Sequence, residues 1–314
     1  MSPQRGVLLL FLDGVGIGPD DARRNPFFSA RLPNLRALVG GSLPTLDTPR
    51  VEGSGAGRPA ATAPLDARLG IEGTPQSGTG QTTILTGRNG ARLFGRHFGP
   101  WVPVRLRPMV ENDSILARAV KHGLPSAFAN AYPEGWPGAR GGRRLAAPPL
   151  AARGAGLLTR HHRELGLGRA VASEILNTGW QRHLGHHDLP DVTAEEAGRV
   201  LGRVAADHAL TLYAHYATDT AGHSGDMEGC VSALERVDRF LGGLLETLPP
   251  GHTLLVCSDH GNLEDLDTRG HTLNPALGIV AGPSAPERAR ELGSLQDLTP
   301  AVAGWLGIGG ETGA

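Results

Sequence analysis

At 314 residues with a formal net charge of −1, the chain is long enough for one large α/β domain, or for a core domain with a smaller insertion. The near-neutral balance excludes the global basic field with which nucleic-acid binders track phosphates, so any phosphate binding has to be local. Lys121 is the only lysine and has no site-like neighbours, while Cys230 and Cys257 are too few for a disulfide framework or a thiolate metal cluster.

Residues 7–12 are apolar at every position and stop on Asp13-Gly14. That is the pattern of a fully buried strand in a parallel sheet, and it is shorter than the apolar core of a signal peptide, about 7–15 residues. A short helix is predicted over 32–39 and a flexible surface loop over 52–61 (EGSGAGRPAA). A further helix is predicted over 80–87, directly behind SGTG, with Ser77 just ahead of its N-terminus. A helix over 113–123 ends on its glycine and leads into an apolar strand over 126–131.

Composition shifts at 133–144 (PEGWPGARGGRR), and the stretch 132–190 is expected to form a small lid or cap between core segments 1–131 and 191–314. Arg140, Arg143 and Arg144 form a short run without interleaved aromatics, a solvated loop rather than a nucleic-acid surface. His161, His162, His186 and His187 fall in this weakly patterned stretch and read as solvated.

Thr193 can N-cap a helix over 193–208 whose first turn carries Glu195 and Glu196, and 210–217 returns to strand. Over 227–248, Val231, Leu234, Val237, Leu241, Leu244, Leu245 and Leu248 recur at three- and four-residue steps, the mark of an amphipathic helix against a sheet. A strand over 253–257 again stops just short of an acid, Asp259, and a strand near 277–281 and a helix near 295–306 close the alternation. The fold class is α/β, with a mostly parallel sheet sandwiched by helices. No segment approaches the roughly 20 apolar residues needed to cross a bilayer, so a cytoplasmic protein without membrane partners is expected.

Six acid or imidazole groups fall where strands, or the loops after them, deliver them to one edge of the sheet: Asp13, Asp219 and His223 in DTAGH, Asp259 and His260 in SDHGN, and His271 in GHT. Ligands of open α/β sheets bind beyond the carboxyl ends of the strands. Carboxylates and neutral imidazoles in this mixture suit two divalent cations such as Mn²⁺ or Zn²⁺. Taken singly, Asp13 could cap a loop, His223 could be an exposed turn residue and Asp259 could start a helix. For a nucleophile, TPQSGTGQTTILTGR over 74–88 offers hydroxyls in a glycine-containing turn at a helix N-terminus, where a phosphate is also favoured.

Taken together, Asp13-Gly14, SGTGQTTILTGR, DTAGH, SDHGN and GHT resemble, in their order, the alkaline phosphatase superfamily. The motifs are most like those of phosphopentomutases and cofactor-independent phosphoglycerate mutases, and the resemblance covers about 1–95 and 210–285. It implies an alkaline-phosphatase-like core and a Ser77 nucleophile, with Thr79 as the alternative. Asp13, Ser77, Asp259 and His260 would hold one metal, and Asp219, His223 and His271 the other. Arg88 and Arg269 are the corresponding candidates for substrate binding.

Gln81 stands where both mutase families usually carry histidine, and 132–190 is short beside the second domain of the phosphoglycerate mutases. Hydrolysis of a small phosphomonoester or phosphodiester through a phosphoserine is therefore expected ahead of phosphomutase chemistry. A non-catalytic metal-stabilised binding protein would have lost ligands, and none is missing.

Overall fold

The computed structural model describes residues 5–138, 142 and 144–308. Seven strands, β1 (Val7–Leu12), β2 (Glu52–Gly53), β3 (Ala60–Leu65), β4 (Ser126–Phe128), β5 (Leu210–His215), β6 (Thr253–Cys257) and β7 (Ala276–Ala281), form one sheet in the order β2-β3-β7-β6-β1-β5-β4. The central strands β6, β1, β5 and β4 run parallel. β7 is antiparallel to β6, and β3 is antiparallel to β7.

β1, β5 and β6 are buried along their whole length because helices cover both faces of the sheet. That is why β1 reads as a continuous apolar run, and β5 and β6 nearly so, interrupted only by Thr211, His215 and Thr253. Each leucine buried in this way stabilises the fold by about 1.5–3 kcal/mol. The two faces carry separate cores. Leu9, Phe11, Leu212 and Leu255 point into one, with Ile84, Leu85 and Leu150, whereas Leu8, Leu10, Tyr213 and Leu254 point into the other, with Phe240, Leu241 and Leu244.

The long helix Met227–Thr247 covers the second face, and its predicted apolar stripe buries Leu234, Leu241 and Leu244. Beside it lies helix Ala194–Ala206, whose N-cap Thr193 accepts from the Glu196 N–H at 3.1 Å while Glu196 accepts from the Thr193 N–H at 2.8 Å. This reciprocal cap satisfies two backbone donors that a helix start otherwise leaves open.

Three expectations need correction. Residues 52–61 are not a loop throughout: Glu52–Gly53 and the start of β3 are paired strands, and β3 continues to Leu65 against β7. Pro64 lies beyond the two-residue pairing with β2, so its missing N–H falls on an unpaired edge. The helix predicted over 113–123 spans Ile115–Lys121, N-capped by Ser114, which accepts from the Ala117 N–H, and a separate unpredicted helix, Arg107–Asp113, ends just before that cap. The helix expected from 80 begins three residues earlier and spans Ser77–Thr86, which makes Ser77 its first residue.

Within 132–190, helix Ala147–Gly154 packs into the main core through Leu150, Ala151 and Ala152. Leu165, Ala170, Ala172, Trp180 and Leu189 form a small apolar cluster of their own with Ala131. Among the described residues no helix is long and apolar enough to cross a membrane.

Candidate metal centre

The carboxyl end of β1 delivers Asp13, whose N–H donates to the His215 carbonyl at 2.9 Å and so keeps the chain in register one residue past the strand. Gly14 then turns with φ +67°, and a Cβ there would stand 2.4 Å from Asp219 Oδ1. Only glycine accepts both the left-handed backbone and that approach. β6 ends at Cys257, and the following Ser258, Asp259 and His260 are all fully buried. Helix Ala217–Ser224 places Asp219 and His223 one turn apart on the same face, with His223 Nε2 at 3.2 Å from Asp219 Oδ2.

Ser77 closes the group from the other side. Its Oγ lies 3.0 Å from His260 Nε2. Two glycines let its helix pack closely on both sides: a Cβ at Gly80 would stand 3.1 Å from Asp259, and one at Gly78 would stand 2.1 Å from the Trp101 carbonyl of the loop beyond. Thr79 faces away: its hydroxyl donates to the Gln76 carbonyl at 3.2 Å and accepts from the Phe98 N–H at 3.1 Å.

The ligating atoms fall into two overlapping sets, Asp13 with Asp259 and His260, and Asp219 with His260 and His271, each within 4.8 Å. His223 joins the second, since its Nε2 is 3.2 Å from His271 Nε2. All six predicted acid and imidazole groups, spread from Asp13 to His271, therefore meet with Ser77 at one sheet edge. His271 Nδ1 faces the Pro75 carbonyl at 2.7 Å and His260 Nδ1 faces the Gly261 carbonyl at 3.4 Å. Donation of Nδ1–H to those carbonyls leaves the Nε2 lone pairs turned into the cluster, the orientation a metal-ligating imidazole requires.

The electrostatics are those of a site short of positive charge. Burial, followed by the neighbouring Asp259 and Asp219, raises the Asp13 carboxyl well above its ordinary range, and burial raises Asp259 to about 6. Burial, followed by His271, pushes His260 down to about 3 and keeps it neutral. Asp13 Oδ1 is buried without a hydrogen-bond partner. Such an orphaned acceptor costs on the order of 1–3 kcal/mol, and crowded carboxylates beside neutral imidazoles are the donor set that divalent cations take. The residues fit a pair of such ions.

Three residues of the centre escaped the sequence reading of ligands. Gln81, one turn beyond Ser77, donates through Nε2 to Asp13 Oδ2 at 3.2 Å and to Asp259 Oδ2 at 3.1 Å. Asn262 donates to Asp219 Oδ1 at 2.7 Å. Glu264, fully buried, accepts from the Gly16 N–H at 2.9 Å, the Asn262 N–H at 2.8 Å, the Asn274 amide at 3.0 Å and the Thr272 hydroxyl. One carboxylate thereby ties together the loops after β1, after β6 and before β7. The hint in the sequence is an acid inside SDHGNLE, a segment otherwise committed to the site.

The arginine expectations fare differently. Arg88 follows the C-cap Gly87 at the far end of the Ser77 helix, about 15 Å along its axis from Ser77, and pairs with Asp113 at 3.3 Å. The structure does not bring Arg88 to the centre, a correction that follows from the length of the helix. Arg269 is exposed on the loop before His271, Arg144 is exposed, and Arg140 and Arg143 lie outside the described residues. Tyr216, half-buried in the field of Asp13 and Asp259, has its phenol pKa raised mainly by desolvation, and its hydroxyl is 3.5 Å from that of Tyr132.

Residues 5–309 match the family model described as the Metalloenzyme superfamily. A 2,3-bisphosphoglycerate-independent phosphoglycerate mutase of Haloarcula marismortui is 34% identical over 134 residues, 39% of this chain and 26% of the relative. One from Desulforudis audaxviator is 33% identical over 130 residues, with 39% and 26% covered. The matched part thus spans about a quarter of the length of these relatives.

Among solved structures, the PH0037 protein of Pyrococcus horikoshii superposes with a TM-score of 0.58 at 15% identity, covering 100% of both chains. The alkaline phosphatase of the Antarctic bacterium TAB5 gives 0.52 at 12%, covering 98% of both. The lipoteichoic acid synthase of Listeria monocytogenes gives 0.52 at 8%, covering 99% of this chain and 74% of the other. At these identities the likeness concerns the fold, which is alkaline-phosphatase-like.

Proposed function

The chain belongs to the Metalloenzyme superfamily, and from that premise we propose that it is a two-metal phosphoryl-transfer enzyme that hydrolyses a small phosphate ester with Ser77 as nucleophile. The observation that carries the reading is the position of Ser77 Oγ, 3.0 Å from His260 Nε2, at the start of a ten-residue helix and beside the buried acids. Asp13, Ser77, Asp259 and His260 hold one cation in this reading, and Asp219, His223 and His271 the other. Bound there, divalent cations lower the pKa of the serine hydroxyl and offset the charge on the phosphoryl oxygens.

Ser77 Oγ attacks phosphorus as its proton passes to solvent, the ester P–O bond breaks, and the departing alkoxide takes a proton from solvent. Water then attacks the phosphorylated serine, which releases inorganic phosphate from a monoester, or a phosphomonoester from a diester, and restores the hydroxyl. The helix N-terminus favours the incoming anion, and the substrate enters past the Asp219, His223 and His271 side: the His223 side chain is 49% exposed whereas that of His260 is 0% exposed. Asn262 and Gln81 position carboxylates, and Glu264 positions the loops that carry them.

Phosphomutase chemistry is the second reading, favoured by the local identity to phosphoglycerate mutases. It requires that the phosphoryl group return to a second hydroxyl of a retained product. Hydrolysis stands ahead because the separate apolar cluster within 132–190 is small, which gives little surface on which to hold and turn a product. The test is turnover of phosphomonoesters, phosphodiesters and sugar phosphates by enzyme reconstituted with Mn²⁺ or Zn²⁺. Release of inorganic phosphate from a monoester, or of an alcohol and a phosphomonoester from a diester, supports hydrolysis, isomerisation without release supports the mutase, and inertness toward all three with metal bound refutes both.

A further inference from the structure

A second cluster of ligating side chains stands in the 132–190 segment and shares no residue with the centre around Ser77. His162 is the first residue of helix His162–Gly166, and His186 and Asp188 lie in the turn after helix Thr178–Leu184. One ligating atom from each lies within 4.8 Å of the other two. His162 Nε2 is 3.1 Å from Asp188 Oδ1 and 3.0 Å from Oδ2, and the rings of His162 and His186 stack with centroids 4.2 Å apart. We propose that His162, His186 and Asp188 form a further divalent-cation site, of the zinc class, that clips these two parts of the segment together.

The backbones bearing the three donors are fixed before any ion arrives. Leu165, one turn after His162, packs in the small apolar cluster with Trp180 and Leu189, which bracket His186 and Asp188 in sequence. Gly185 ends the second helix with φ +76°, after which the His186 N–H donates to the Trp180 carbonyl at 3.2 Å and the Leu189 N–H to the His186 carbonyl at 3.3 Å. The His186 ring also lies 5.3 Å from the Trp180 indole. Ligands held in this way by packing and by backbone hydrogen bonds lose little freedom on binding.

Two imidazoles and one carboxylate are a zinc donor set with a fourth position left for water. The exposure of the cluster supplies that position: the side chains of His162 and Asp188 are 35% and 69% exposed. A plain His–Asp ion pair uses one imidazole and leaves the second only its ring packing against His162 and Trp180. A cation uses both rings and the carboxylate at once. Zinc–nitrogen bonds of about 2.0–2.1 Å require the donors to close up further, which these partly exposed side chains can do by rotation.

The proposal does not rest on the catalytic reading, and its test is a difference that does not depend on how many ions the main centre binds. Full-length protein is dialysed to equilibrium against micromolar free Zn²⁺, and bound zinc per chain is measured by plasma mass spectrometry for wild type, His186→Ala and Asp188→Asn. Wild type is expected to hold one ion more than either variant. Circular dichroism and melting in chelator check the fold, and Asp188→Asn, at an exposed position, keeps the test open if His186→Ala fails to fold. Equal zinc in wild type and folded variants overturns the site, whatever the activity of the enzyme.

Discussion

Ser77 and Thr79 sit two residues apart on one helix, yet their hydroxyls meet different surroundings, so paired alanine substitutions should separate rate from stability. Ser77 Oγ has one partner, His260 Nε2. Its removal costs about 1 kcal/mol, a melting shift of roughly 1–2 °C in a chain of this size. If the hydroxyl is the nucleophile, turnover should nevertheless fall at least about 1,000-fold, some 4 kcal/mol of barrier.

Thr79 Oγ1 bridges the Gln76 carbonyl and the Phe98 N–H in a fully buried position. Losing it strands the Phe98 N–H at about 1–3 kcal/mol, while the Gln76 carbonyl still accepts from the Gly80 N–H and the reacting atoms are untouched. Thr79→Ala should therefore melt lower than Ser77→Ala while keeping most of the rate. The assay is phosphate release by metal-loaded enzyme together with thermal melts, followed by mass spectrometry of enzyme quenched during turnover. A phosphate on Thr79, or a Ser77→Ala rate within tenfold of wild type, would refute the assignment.

Asp259→Asn should lower both metal content and rate, and in chelator it should shift stability with a sign set by linkage. A buried carboxyl raised from 3.8 to about 6 holds its proton longer folded than unfolded, so its contribution is lost as pH rises through that window. The variant should accordingly gain on wild type between pH 4 and about 6 and hold that gain above; a difference in melting temperature that does not change with pH would contradict the burial argument. Glu264→Ala removes an acceptor of four hydrogen bonds, each worth about 1.5–3 kcal/mol when the acceptor is charged, and should cost at least about 3 kcal/mol in urea unfolding and reduce bound metal. Stability and metal content like those of wild type would show that the loops hold their places without it. Trp180→Ala empties the small apolar cluster at about 3–5 kcal/mol, and hydrogen exchange should quicken over 160–190 while β1 and β6 stay protected. Uniform loss of protection would mean that this segment does not form a separate cooperative unit.

What could be read along the chain was whatever a single segment encodes. β1, β5 and β6 announce themselves because strands covered on both faces are apolar almost throughout, and acids placed just beyond β1 and β6 have little structural use there except at a ligand site. β3 escaped notice because AATAPL has weak strand propensity and a proline; its conformation is imposed by pairing with β7, more than two hundred residues away. The start of the Ser77 helix was misplaced since Gly78 is a poor helix former locally and is required only by the Trp101 carbonyl lying against it. Glu264 looks like an ordinary polar residue until Gly16 and Thr272 are brought around it, and Gln81, distinctive in sequence only for replacing a histidine, shows its partners only once Asp13 and Asp259 are beside it. The sequence determined which ligands exist and at which strand ends they stand. Tertiary structure decided which hydroxyl faces them, which carboxylates lack partners and which arginines stay away, because burial, distance and hydrogen-bond satisfaction belong to the space between segments and are written in no one of them.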